Sequence, residues 1–170
     1  RFSWLDVLTS MFLHGGWMHL IGNMWFLWVF GDNIEDILGR AQYLVFYLGS
    51  GVVAALAQVA VSPDSRIPLV GASGAIAGIM GAYLLKFPHS RILTLIFIFV
   101  FIQTVDLPAY VLLIYWFVLQ FFSGVGTVAD AAQKGGVAWF AHIGGFLAGM
   151  ALISVLKTRE PHWRRRELRW

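Results

Sequence analysis

The 170-residue chain contains no cysteine. That excludes a disulfide framework and a thiolate metal site, and it removes the residue from which redox compartment is usually inferred. Charge is also scarce, at 12% of residues. The long apolar stretches hold no series of carboxylates of the kind an ion pathway needs, which argues against a transporter. A net charge of +3, with the basic residues in loops and near the C-terminus, gives no nucleic-acid signature. RRRELR, Arg164 to Arg169, reads instead as a membrane-anchoring tail. The opening RFSWLDVLTSMF has scattered polarity and does not read as a cleavable signal. With no internal repeat, low-complexity tract or second domain in view, positions 1–170 read as a single domain.

What remains is apolar. Hydrophobic residues make up 59% of the chain, with eight tryptophans, fourteen phenylalanines and eighteen glycines, and the mean hydropathy is +0.73. This is the composition of helices packed closely in lipid, with aromatic residues near the interfaces. A hydrocarbon core about 30 Å thick needs about 20 helical residues to cross it, fewer where it thins. Five stretches qualify as spans: His19 to Ile37, Tyr43 to Val61, Ala72 to Phe87, Pro108 to Phe122 and Val137 to Leu156. A further apolar run, Ile92 to Ile102, would cover only about 16 Å as a helix and reads as an interfacial or re-entrant piece. Placing the start of the first span outside puts Arg40, Lys86, Arg91, Lys157, Arg159 and the tail arginines inside, and leaves Arg1, Arg66 and Lys134 outside. Residues 1–18 then form an outer-side loop and 157–170 a basic cytoplasmic tail.

Polar side chains at membrane depth are costly, so the few that persist suggest function. Ser73 lies in VGASGAIAGIMG, between Gly71 and Gly74, which allow a tight loop-to-helix transition. Ala77 and Gly81 follow at i+4 and i+8, so the hydroxyl shares a small-residue face. Ser73 is either a packing residue bonded to a carbonyl one turn back or a nucleophile. In AHIGGFLAGM, His142 shares a face with Gly145 and Gly149. That histidine is either structural or a base, and two facing small-residue stripes could bring it within the roughly 2.6–3.2 Å that proton transfer needs. If Ile92 to Ile102 does not cross, both sites lie on the outer side.

In MFLHGGWMHLIGNMW, His19 and Asn23 are i and i+4 neighbours on one face. They form either an interhelical polar pair or a pair of hydrogen-bond donors for an oxyanion. His14 is off that face and reads as a loop organiser. His14, His19 and His142 could in principle converge on a metal, but no acidic residue lies near them in sequence and no HExxH pattern occurs, so no metal is expected.

Taken in order, HGGWMHLIGNM, GASG and AHIGGFLAG resemble the rhomboid family of intramembrane serine proteases, over Leu8 to Leu156. The resemblance implies an all-α, polytopic membrane helix bundle of five spans, with the family's usual first core helix absent, as in a truncated sequence. It implies a Ser-His dyad with Ser73 as nucleophile and His142 as base, and an oxyanion hole of His19, Asn23 and the Ser73 amide. Glu35, in GDNIEDILG, matches a structural glutamate of the family, and the aromatic residues of the first loop would seat it in the outer leaflet. Transmembrane proteins are the implied substrates, the bilayer is the setting, and no cofactor or nucleic acid is required. The expected location is a bacterial plasma membrane, with the active site opening to the outer side. Two departures stand out. Ala77 occupies the position where some relatives place an aromatic against the histidine, so something else must orient His142. The family's first-loop Trp-Arg pair is not reproduced by Trp4 and Arg1. A catalytically silent, client-binding member of the family is the rival expectation.

Overall fold

The computed structural model describes residues 3–63, 65, 68–98, 101–129 and 137–162. Arg1, Asp64, Arg66, Asp130, Lys134 and Arg164 to Arg169 lie outside the described residues. Helix α1 (Trp4–Ser10) is followed by α2 (Trp17–Leu38), α3 (Arg40–Val61) and α4 (Ser73–Lys86). Strands β1 (Arg91–Ile98) and β2 (Phe101–Pro108) come next, and α5 (Ala109–Ala129) and α6 (Trp139–Val155) complete the order. The helices that carry the expected spans are thus present as α2 to α6, with α5 running seven residues past its expected end at Phe122. Two of them, α3 and the Ala109–Thr127 part of α5, are long and apolar enough to cross a bilayer.

One expectation needs correction. The fold is mostly helical rather than all-α, because the described part of the Ile92 to Ile102 apolar run, Ile92 to Ile98 with Phe101 and Ile102, belongs to an antiparallel hairpin paired from Arg91↔Pro108 to Ile98↔Phe101. Ile92, Thr94, Ile96, Ile102, Thr104 and Val105 are β-branched and favour the extended backbone. The hairpin base is closed by the Ala109 and Tyr110 amides, which donate to Ser90 and Pro88 carbonyls at 2.8 and 3.0 Å. The chain therefore leaves α4 and re-enters as α5 at the same end of the bundle. The first loop contains a helix: Ser3 caps α1 by accepting from the Asp6 amide at 3.4 Å.

Helix α4 is the centre of the bundle, touching α2, α3, α5 and α6, and every residue from Gly74 to Tyr83 is buried. The α4–α6 contact is backbone against backbone. A Cβ added at Gly145 would run into the Gly74 carbonyl, one at Gly149 into Gly78, and one at Gly81 into the Phe146 carbonyl. The stripe that meets α6 is thus Gly74, Gly78 and Gly81, while Ala77 turns into the hydrophobic core. Gly74 is helical, and its missing Cβ also leaves room for Ala54 of α3. Large side chains (Phe30, Ile34, Phe46, Ile79, Met80, Leu113 and Ile153) fill the remaining core.

The end of the bundle away from Ser73 is tied together by the chain after α6. Gly39, at φ 78°, is the single residue between α2 and α3. The Arg159 guanidinium lies against it, and the Arg159 amide donates to Ile37 O at 2.7 Å. His162 meets Asp36 at 3.1 Å. Arg159 and His162, in the segment expected as a basic cytoplasmic tail, thus pack on the α2–α3 junction.

Candidate active site

Ser73 is the first residue of α4. Its own amide is one of those a helix start leaves without an intrahelical partner. The preceding Gly71 has φ 120°, a backbone region that L side chains rarely adopt. The loop is fixed from the N-terminal segment: the Gly71 amide donates to Ser10 O at 2.9 Å. Met11 fits a notch that a side chain at Gly51 would fill.

His142 enters on the first turn of α6. That helix has no side-chain cap of its own. Gln58 of α3 supplies one by accepting from the Ala141 amide at 3.2 Å. With the glycine stripes holding α4 and α6 at backbone contact, His142 Nε2 lies 2.8 Å from Ser73 Oγ. The imidazole is buried. Its other nitrogen, Nδ1, is 2.6 Å from Gln120 Oε1 of α5. Trp116, one turn earlier on α5, packs on the ring at 5.7 Å between centroids, and Trp139 stands perpendicular to it at 6.4 Å.

His19 and Asn23 face the same site from the first turns of α2. His19 Nδ1 accepts from the Gly15 amide at 3.3 Å, so in the neutral ring the proton sits on Nε2. That nitrogen points at Gly71: a Cβ there would be 2.7 Å from it and 3.6 Å from Asn23 Nδ2. Asn23 is buried and its Nδ2 has no protein partner. Ser73, His142, His19 and Asn23 together line a cavity of about 580 Å³, whose other walls include Met18, Phe26, Ile76, Met80 and Trp116. A hydroxyl on an imidazole nitrogen, beside converging polar groups in an apolar cavity, is an arrangement suited to acyl transfer.

A family model described as the rhomboid domain matches residues 1–159. The chain belongs to the rhomboid family. Rhomboid protease GluP of Bacillus subtilis is 33% identical over 150 residues, covering 88% of this chain and 26% of that protein. The mitochondrial presenilin-associated rhomboid-like protein of Bos taurus is 31% identical over 165 residues, covering 91% and 40%. Rhomboid protein 1, mitochondrial, of Saccharomyces cerevisiae is 32% identical over 99 residues, covering 56% and 29%. The chain thus spans well under half the length of these relatives.

The other expected rhomboid residues are placed as follows. His14 sets its ring edge-on to His19 at 5.3 Å, so it stands beside the site without facing Ser73. Glu35 is at the far end of α2, half exposed, with Arg40 at 3.9 Å. Gly71 and Gly74 shape the serine loop and the α3–α4 contact, and Gly145 and Gly149 the α4–α6 contact. Among the described residues, no three His, Asp or Glu side chains cluster to hold a metal ion.

Three residues escaped the sequence reasoning: Gln120, Trp116 and Gln58. Gln120 had a signal, being the one amide or charged side chain between Asp106 and Asp130. Trp116 supplies from α5 the aromatic neighbour that Ala77 does not.

Proposed function

We propose that this rhomboid is an intramembrane serine endopeptidase that hydrolyses peptide bonds in or near transmembrane segments of membrane proteins. The observation that carries the reading is the 2.8 Å approach of Ser73 Oγ to His142 Nε2 within the cavity. Ser73 Oγ attacks the scissile carbonyl while Nε2 takes its proton. The oxyanion is held by His19 Nε2–H, Asn23 Nδ2–H and the Ser73 amide, each worth about 3 kcal/mol to the transition state. The imidazolium then protonates the leaving amine, and an acyl-enzyme ester remains on Oγ. A water molecule, giving its proton to Nε2, hydrolyses that ester and restores the hydroxyl. No cofactor is needed for these steps.

The fold suits a substrate that comes from lipid. Helix α4 has 14 residues, about 21 Å of rise, against a hydrocarbon core of about 30 Å. With its Lys86 end at one interface, Ser73 would lie some 9 Å short of the other. A substrate helix must unwind before its carbonyl is accessible, because its backbone is satisfied internally. Substrates with helix-weakening residues and a small side chain at the cut follow from this. The proposed setting is a bacterial plasma membrane, with the site opening to the outer side and most of the basic residues inside.

Proteoliposomes carrying the chain and a fluorogenic transmembrane peptide provide the test. The parent should cleave it, and Ser73→Ala and His142→Ala should each lose at least about 1,000-fold in kcat. A parent that binds the peptide without cutting it would establish the silent, client-binding rival.

A further inference from the structure

We propose that Gln120 is a positioning residue for the reaction, holding His142 in the tautomer and ring orientation that let it act as a base. The inference rests on the reading of Ser73 and His142 as the reacting pair. It deepens that reading from a dyad to a neutral three-residue chain: Ser73, His142, Gln120.

The tautomer follows from the acceptor. Gln120 Oε1 stands 2.6 Å from His142 Nδ1, and a carbonyl oxygen can only accept. Nδ1 must therefore carry the proton, which leaves Nε2 bare toward the Ser73 hydroxyl at 2.8 Å. The opposite tautomer would require the Gln120 amide to turn its NH2 toward Nδ1 and would put an Nε2–H toward Ser73, so the ring could not take the hydroxyl proton. Burial makes this choice firm. Gln120 is 8% exposed and His142 9%, so little water is at hand to satisfy Nδ1 instead.

Orientation comes from the same helix. Trp116 and Gln120 are i and i+4 on α5 and so share one face. Trp116 packs along the imidazole at an interplanar angle of 37°, while Gln120 meets its edge. When Nε2 takes the serine proton, the Nδ1–H···Oε1 bond becomes charge-assisted and strengthens. The proton then leaves Nε2 for the departing amine. Gln120 remains neutral throughout and never carries the proton.

The test uses the full chain labelled with 15N-histidine in detergent micelles, with His142→Ala to assign the His142 ring-nitrogen signals. The parent should show a protonated Nδ1 and a bare Nε2. Gln120→Met should mix the tautomers and lower kcat on the order of 100-fold, with KM and melting temperature little changed. Gln120→Glu, which keeps an acceptor at the same reach, should restore the tautomer and most of kcat. An Nε2–H tautomer in the parent overturns the proposal, as does a Met variant with the parent's tautomer and kcat, or a Glu variant no better than Met. If the parent cuts no substrate at all, the reacting-pair reading fails, and the ring-nitrogen signals still decide whether Gln120 sets the tautomer.

Discussion

Asn23 and Ser50 each bury a polar atom that has no protein partner, and an orphan of this kind costs about 1–3 kcal/mol. Their surroundings differ. Asn23 lines the cavity that Ser73 and His142 share, whereas Ser50 packs against Gly78 between α3 and α4. Asn23→Ala should therefore lower kcat about 100-fold at a nearly constant KM, because the donor acts on the transition state. Its melting temperature should not fall, since a strained donor is removed. Ser50→Ala is the control and should keep the parent's kcat while melting no lower. Residues of the first kind were legible in the sequence because they sit in dense motifs: Ser73 between glycines, His142 above a glycine stripe, His19 one turn from Asn23. Gln120 and Gln58 were not, because each stands alone in an apolar helix and acquires its meaning from an element distant in the chain.

Among elements, the α4–α6 pair sets the site. Gly149 has no room for a side chain against Gly78, and forcing one into such packing costs about 3 kcal/mol. Gly149→Val should lower the melting temperature and, by moving α6, lengthen the Ser73–His142 approach enough to abolish cleavage. Gly126, with open space around its Cα, should accept alanine without loss of activity. The sequence displayed both small-residue stripes, yet it suggested Ala77 for the contact because counting began at Ser73. The observed stripe keeps Gly81 but has Gly74 and Gly78 where Ser73 and Ala77 were expected. The hairpin was hidden by its own hydrophobicity, since an unbroken apolar run does not separate strand from helix by period alone. Its run of β-branched residues was the available cue. Helix α1 had its signature in Ser3 followed by Asp6, a capping pattern easily passed over in a segment read as loop.

The whole molecule turns large apolar side chains outward: Trp17, Met18, Trp28, Tyr115, Phe122 and Val155 are all more than 60% exposed. Such a surface is suited to lipid rather than water, and the composition had already indicated as much. Trp28 lies midway along α2, so Trp28→Arg should disfavour insertion by about 3 kcal/mol. Alkaline extraction of membranes would read this out as an increased released fraction. The bundle holds a serine and a histidine from separate helices together inside an apolar cavity. The most direct test is to treat the detergent-solubilised chain with a fluorophosphonate and map the adduct by peptide mass spectrometry. The parent should carry one phosphonyl adduct, on Ser73, and His142→Ala none. No adduct in the parent, or undiminished labelling of Ser73 in the absence of His142, would contradict this.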